Sequence, residues 1–501
     1  MDNPLKALTD ELVRVHDLAA IHELLDWDQQ TFMPRAGAEA RARQTALLAG
    51  LAHERFTSDR IGELLDACSN MDLSDDEWVV VDRVARDRKR ALCLPTSLVE
   101  ELARVTSEAH QVWVTARSAK RFDLFEEILG RVIDLKRQKA TAVGWPDGGH
   151  PYDALLDGYE PGATVAFLDP LIREVSDESS KALQAVMGSS VSPRTDILRR
   201  GFSVEKQEAF CRRVLDAMGF DFEAGRLDES AHPFTTSFDP HDVRLTTRYH
   251  GDYLPAAIFG AIHEGGHGLY EQGLDLDHIG TPLSEPGSLG LHESQSRLWE
   301  NQIGRSLPFW RFWYPVLQET FGDVLSDVSL EAFHLAVNGV RPSLIRVEAD
   351  EVTYNLHIAV RYELEKALIA GDLAVGDLPE AWNERMESLV GVRPESDSDG
   401  VLQDVHWSMG LIGYFPTYLL GNLYAAQFAV AAREQITDFD DRIAAGDLMS
   451  LREWLRNQVH RQGRRYEAPQ LVERVTGRPP SAESFSGYLK ERFGPLYDVT
   501  W

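Results

Sequence analysis

The sequence predicts a mostly α-helical protein with one small β-element, and three observations predict it. Apolar residues recur at helical spacing over most of the 501 residues. One short region instead is rich in Thr and aromatic residues around a turn signal. The hydrophobic content of 43% is enough to bury a large core, which excludes intrinsic disorder as the main description. No repeat of fixed period and no low-complexity tract interrupts the chain, so a single large unit over residues 1–501 is expected.

The elements follow in order. Asn3 can cap a helix with Pro4 in its first turn, and Leu5, Leu8, Leu12, Leu18, Ile21 and Leu25 recur along it. Pro233–Phe238 and Asp242–Tyr249, joined at Asp239-Pro240, predict a hairpin. Leu254-Pro255 opens a further helix, which Gly273 can end after Gln272. Residues 290–301 predict another helix, with Leu289, Leu291, Leu298 and Ile303 for packing. Ile345, Ala349, Val352, Leu356 and Ala359 predict one more, with Arg346, Asp350, Thr353 and His357 on its polar side. Residues 145–149 and 393–397 read as loops. Ser450 can cap a helix with face Leu451, Trp454, Leu455 and Val459, closed by Gly463.

Charge narrows the function. With 51 Lys+Arg against 80 Asp+Glu the net charge is −29, which argues against binding nucleic acid or an anionic membrane. Only 9 of the basic residues are lysines. Surplus carboxylate with few lysines points to a halophile, whose surface stays hydrated at high salt, with an ordinary acidic cytosolic enzyme from a GC-rich genome as the alternative. Cys68, Cys93 and Cys211 show no CxxC spacing, which fits a reducing compartment. The Met1–Lys6 start lacks a signal-peptide pattern, and the uncharged stretch Val405–Ala432 carries Pro416, three glycines, Asn422 and Gln427. That mixture suits a buried wall better than lipid, so a cytoplasmic protein is expected.

Chemistry enters at His263-Glu264-Gly265-Gly266-His267, an HExxH sequence. Four helical residues turn through about 400°, so the two imidazoles share one face and can share a metal. Glu264 points about 100° away from His263, where it can take a proton from a water rather than bind the metal. Two adjacent glycines cost helix stability, about 1 kcal/mol each, which makes sense if something approaches that backbone closely. A catalytic zinc wants a third protein ligand. Tyr270 and Gly273 stand where an extended motif would need Gly and His, so the third ligand is expected from a second helix. Glu293, Ser296 and Glu300 form a polar stripe on the helix at 290–301. Glu293 is the best candidate and Glu300 a weaker one; an exposed helix face is the alternative.

Six patterns appear in order: His232-Pro233-Phe234, Asp242-Val-Arg244-Leu-Thr246, His263-Glu264-Gly-Gly-His267, His292-Glu293-Ser294-Gln295, Ile345-Arg346-Val-Glu-Ala349-Asp350 and Gly400-Val-Leu-Gln403-Asp404-Val-His406-Trp407. In these, and in Trp27–Pro34, Tyr152–Gly162 and Gly413–Tyr418, the chain resembles the carboxypeptidase Taq family of zinc metallopeptidases. The resemblance implies a large helical fold with a deep cleft and a small sheet near the active site, usually homodimeric. It implies stepwise release of C-terminal amino acids from peptides, with broad specificity and poor action on proline. It places the metal ligands at His263, His267 and Glu293, for Zn2+ with Co2+ as the alternative, and the general base at Glu264. The metal-site part then spans roughly 231–430, between helical parts of roughly 1–230 and 431–501.

The remaining motif residues are assigned on that resemblance. Arg346 is the candidate for gripping the substrate carboxylate through paired N–H bonds; without the resemblance it reads as a solvated face with an Arg346–Asp350 pair. His406 and Tyr414 can donate to the carbonyl oxygen as it becomes anionic, or be a buried His and Tyr bonded to backbone. His232, Asp242 and Arg244 are expected to orient ligands or line the cleft, and Gln403 and Asp404 are equally readable as structural. An endo- or oligopeptidase, a non-catalytic peptide or metal binder and an acidic cation buffer are the rivals. The binder leaves Glu264 without a use, and the cation buffer leaves the ordered motifs unexplained.

Overall fold

Asn3 accepts from the N–H groups of Leu5 and Lys6, and with Pro4 in its first turn the chain enters a 28-residue helix, Pro4–Thr31. The expected cap is therefore formed, but the face is only partly used: Leu8 and Leu12 are buried whereas Ile21 is exposed. This computed structural model describes residues 3–501. Helices dominate them, and among the described residues β-structure is one three-stranded sheet.

The chain gathers into two compact units built from alternating stretches. The first takes residues up to Ala91, Pro193–Val337 and Gln427–Pro479; the second takes Leu92–Ser192, Asn338–Ala426 and Pro480–Trp501. The part read as 231–430 is thus shared, its portion up to Val337 belonging to the first unit and its portion from Asn338 to Ala426 to the second.

In the first unit the predicted hairpin is present as β2 (Thr235–Asp239) and β3 (Asp242–Thr247), antiparallel and with an irregular register between Ser237 and Asp239. A third strand, β1 (Gly225–Glu229), pairs parallel to β3, with Gly225 opposite Val243. Its Gly-Arg-Leu-Asp-Glu sequence is mostly polar, so no alternation announces it. The Leu254–Glu271 helix lies against β2 and β3 and carries the HExxH sequence. Its glycines do admit close neighbours. A Cβ on Gly266 would stand 2.6 Å from the carbonyl oxygen of Gln295, and one on Gly265 would stand 2.4 Å from a Leu215 methyl. The neighbours are the Leu289–Arg297 helix and the Val204–Met218 helix. Gly266 therefore seats the HExxH backbone against the helix that bears Glu293, and Gly265 seats it against the Val204–Met218 helix.

Two helix starts differ from expectation. Ser450 lies inside the Met449–Gln458 helix, and Asp447 is the residue whose carboxylate accepts from Ser450 N at 3.0 Å and from its hydroxyl at 2.6 Å. Gly463 closes the short 3-10 turn His460–Gln462 that follows. In the second unit the run predicted from Ile345 is not helical until Tyr354. Arg346–Glu348 form a 3-10 turn, and the helix proper is Tyr354–Ala370. Asp350 is the reason: its Oδ1 accepts the N–H groups of Val352 and Thr353, both at 3.0 Å, and its Oδ2 that of Arg341 at 3.0 Å. A carboxylate that collects backbone donors ahead of a helix fixes a turn there. Leu419, Leu420, Leu423 and Tyr424 of the uncharged stretch are fully buried, and no helix of the described residues is long and apolar enough to cross a membrane.

Candidate active site

Within the first unit, His263 and His267 project from the same face of their helix toward Glu293. Glu293 Oε2 lies 3.8 Å from His263 Nε2 and 3.4 Å from His267 Nε2. The three donor atoms all fall within 4.8 Å of one another. Bonds of about 2.0–2.2 Å to a tetrahedral ion would separate its ligand atoms by roughly 3.3–3.6 Å, so the donor set fits one metal ion. Glu293 is buried, and so is Ser296 beside it, which rules out an exposed stripe.

Glu300 plays a different part from the one weighed for it. The Leu289–Arg297 helix runs directly into a π-helical turn, Leu298–Ile303, which carries Glu300. Its Oε2 lies 2.9 Å from His263 Nδ1, on the side of the ring away from Glu293. A carboxylate can only accept, so Nδ1 carries the proton and Nε2 presents its lone pair to the donor set. Arg305 Nη2 donates to Glu300 Oε1 at 3.0 Å, and Arg297 Nε donates to Glu293 Oε1 at 2.7 Å. Both carboxylates are thereby fixed by an arginine on one oxygen.

Burial would raise these acids, but Arg297 and the imidazoles hold Glu293 well below the usual carboxylate range, and His263 with Arg305 holds Glu300 down at about 2. Burial would lower His263, yet Glu293, Glu300 and Glu264 outweigh it and push the imidazole up to about 9. His267 goes the other way, to about 3, through burial and the neighbouring His292. A divalent cation competes with a proton for such a lone pair, and this cluster is built to favour positive charge. His267 Nδ1 has no hydrogen-bond partner among the described residues. The ring is instead stacked on His292, centroids 4.4 Å apart, and His292 Nε2 lies 2.8 Å from Glu271 Oε1.

Glu264 is buried beside the donor set and is no part of it. Burial pushes its carboxyl up, while His263 and a hydrogen bond from Thr235 draw it back down. That bond runs from Thr235 Oγ1 to Glu264 Oε2 at 2.7 Å. On the hairpin, Arg244 pairs with Asp242 at 2.9 and 3.0 Å and lies over the Trp27 ring, while His232 is exposed.

Arg346, His406 and Tyr414 belong to the second unit. Arg346 is buried, so the solvated face is excluded, and the expected pair with Asp350 is not formed. Its Nε and Nη2 both donate to Asp404 Oδ1, at 3.0 and 2.9 Å, and Nη1 donates to the Tyr354 hydroxyl at 3.0 Å. The planar fork is therefore spent on Asp404. Arg361 Nε donates to Asp404 Oδ2 at 2.7 Å, and Gln403 Oε1 accepts from Arg361 Nη2 at 2.8 Å and from Arg346 N at 3.0 Å. Gln403 and Asp404 thus hold two arginines in place.

His406 Nε2 lies 3.4 Å from the Tyr418 hydroxyl, and its ring packs on Phe415. Burial, with Arg346 and Arg361 nearby, lowers it to about 4, so it is neutral at pH 7. The Tyr414 ring meets those of Tyr159, His406 and Tyr418 at 5.3–5.5 Å between centroids.

Sequence reasoning passed over Thr235, Glu271, Arg297, Arg305 and Arg361. Arg297 had a signal, standing four residues after Glu293 on one helix. Thr235 and Arg305 had none, because their partners are distant in sequence or lie across the π-turn.

The model of the carboxypeptidase Taq (M32) metallopeptidase family matches residues 7–493. The chain is 49% identical over 497 residues to thermostable carboxypeptidase 1 of Thermus thermophilus, covering 96% of each chain. It is 38% identical to carboxypeptidase 1 of Bacillus subtilis, covering 98% of each. Among solved structures, an M32 carboxypeptidase from Deinococcus radiodurans superposes with a TM-score of 0.97 at 41% identity, covering 99% of this chain and 100% of that one.

Proposed function

Because the chain belongs to the carboxypeptidase Taq (M32) metallopeptidase family, and so is a metal-dependent carboxypeptidase, we propose that its metal is zinc, held by His263, His267 and Glu293, with Glu264 as general base. The observation that carries the reading is the convergence of those three donor atoms within 4.8 Å, with Glu264 buried beside them. Two imidazoles and a carboxylate suit zinc, and cobalt accepts the same donors.

Zinc there supplies Lewis acidity that eases loss of a proton from water and polarises the scissile carbonyl. Glu264 takes that proton and passes it to the leaving amine nitrogen. Glu300 keeps His263 in the tautomer that offers Nε2. His406, neutral at pH 7, offers an N–H to the carbonyl oxygen as it becomes anionic, and Tyr414 offers a hydroxyl. Arg346 supplies the positive charge that draws the substrate's α-carboxylate. With its fork engaged by Asp404, it acts through charge rather than through two free donors. The substrates are peptides with a free C-terminus, shortened stepwise with broad specificity and poorly at proline. On the resemblance the enzyme is a homodimer, and three cysteines without CxxC spacing support a reducing, cytoplasmic compartment. A net charge of −29 with nine lysines supports a halophilic protein.

The test is to incubate the protein with mixed free-acid peptides and their C-terminal amides, and to identify products by mass, with and without chelator. Single C-terminal amino acids should appear from the free acids and stop with chelator. Internal fragments formed equally from both sets would make the protein an endopeptidase.

A further inference from the structure

We infer that Thr235 is a positioning residue for Glu264: its hydroxyl takes up one carboxylate oxygen and leaves the other to move the proton. The inference rests on Glu264 being the general base. Thr235 Oγ1 donates to Glu264 Oε2 at 2.7 Å and also lies 3.1 Å from the Glu264 carbonyl oxygen, so side chain and backbone of Glu264 are referred to the same group. A base must be held within a fraction of an ångström of its productive pose, and a buried carboxylate free to turn about its last torsions would not be.

The hairpin exists in a form that delivers this hydroxyl. Thr246, fully buried on β3, clamps Phe234 from both sides. Its Oγ1 accepts from Phe234 N at 2.9 Å, its N–H donates to Phe234 O at 2.9 Å, and its Oγ1 lies 3.1 Å from that same oxygen. Ser230 reinforces the clamp, its hydroxyl donating to His232 O at 2.5 Å and lying 2.7 Å from Thr246 Oγ1. Thr235 is the next residue, paired across the strands with Leu245, and so it has a fixed place against the HExxH helix. The His232-Pro233-Phe234 and Asp242–Thr246 patterns thereby acquire a common purpose. Neither touches the metal donors; together they set the strand from which Thr235 reaches Glu264.

A β-branched residue suits the position, since Thr has few rotamers and its methyl group fills space whether or not the hydroxyl is present. Thr235→Val keeps that shape and removes the donor, and Thr235→Ser keeps the donor. Both are compared with wild type and Glu264→Gln for kcat, KM, metal content after dialysis and thermal unfolding. Thr235→Val should lose about 10- to 100-fold in kcat with KM within about twofold and metal content unchanged. Thr235→Ser should recover kcat to within about threefold. Wild-type kcat in Thr235→Val, with Glu264→Gln inactive, would overturn the role of Thr235 and leave the base assignment standing. Equal loss in the Val and Ser variants would overturn it too, because packing and not the hydroxyl would then matter. Full turnover in Glu264→Gln would overturn the base assignment and this inference with it.

Discussion

The two buried charge clusters have opposite balances. Around His263, three carboxylates (Glu264, Glu293, Glu300) face two guanidiniums (Arg297, Arg305). Around Asp404, two guanidiniums (Arg346, Arg361) face that one carboxylate. Unmatched charge taken out of water costs several kcal/mol per ion, so a fold keeps it only where something supplies the counter-charge. The first balance calls for a positive charge, a proton on His263 or a metal ion in its place, and the second for an anion. Residue types alone do not distinguish the two clusters; the count of partners does.

The largest effect should come from Glu264, which lies beside the donor set and is not a donor. Glu264→Gln is expected to lower kcat by about 10²- to 10⁴-fold while metal content after dialysis stays at the wild-type level. Loss of metal together with turnover would move Glu264 into the ligand set and break the comparison as drawn. Glu293→Ala should behave oppositely, losing the metal itself in a chelator competition. Glu300→Gln tests orientation alone. It should weaken metal affinity about 10- to 100-fold, because the Nδ1–H of His263 loses its charged acceptor. Unchanged affinity would mean that Glu300 merely balances Arg305.

The cation cluster was largely legible in the sequence because HExxH spacing on a helix is local geometry, and Glu293 sits on a helix whose polarity could be read. The role of Glu300 was not legible, since it depends on which side of the His263 ring that carboxylate reaches. The second cluster was read least well. Helical spacing from Ile345 to Ala359 suggested a continuous helix, but Asp350 collects three backbone N–H groups and holds a turn, so Arg346 faces Asp404, 58 residues away. A long-range carboxylate contact leaves no periodic trace in a sequence. The hairpin was visible through its Thr and aromatic content, whereas β1 was not, because a mostly polar parallel strand has no alternation to show.

For the anion-seeking cluster, Arg346→Ala should lower kcat/KM on free-acid peptides by about 10- to 150-fold and barely alter slow cleavage of amidated ones. Equal losses on both would make Arg346 a support for Asp404 rather than an attractor for substrate. Glu365 sharpens the same point, since it is buried near Arg361 and is bonded to the neutral donors Tyr152, Trp407 and Gly413. Burial raises it to about 7 despite those bonds. A folded value above the unfolded one of about 4.3 gives stability that is complete below pH 4.3 and lost as pH rises through 7. Glu365→Gln cannot titrate, so its melting temperature should fall less than the wild type's between pH 5 and 8. The difference should be on the order of 3 kcal/mol or less. Identical pH profiles would show that Glu365 does not change charge in that range.

The smallest effect expected is that of salt, and it separates buried charge from surface charge. A net charge of −29 repels itself over a screening length of about 30 Å at 0.01 M salt but only about 3 Å at 1 M. The buried clusters are excluded from that screening, because ions do not enter the space between His263 and Glu300 or between Arg346 and Asp404. Molar KCl should therefore raise the melting temperature by several degrees, about 2–4 °C for each kcal/mol of relieved repulsion in a unit of 150–250 residues. Metal affinity measured at the same two salt concentrations should change by less than about threefold, since the donors are buried and already paired. A melting temperature that does not move would show that the surface carboxylates are neutralised by the arginines between them, and would remove the case for a halophile. A metal affinity that falls steeply with salt would show instead that the donor set is reached by bulk ions, and the contrast between buried and surface charge would fail at its cation end.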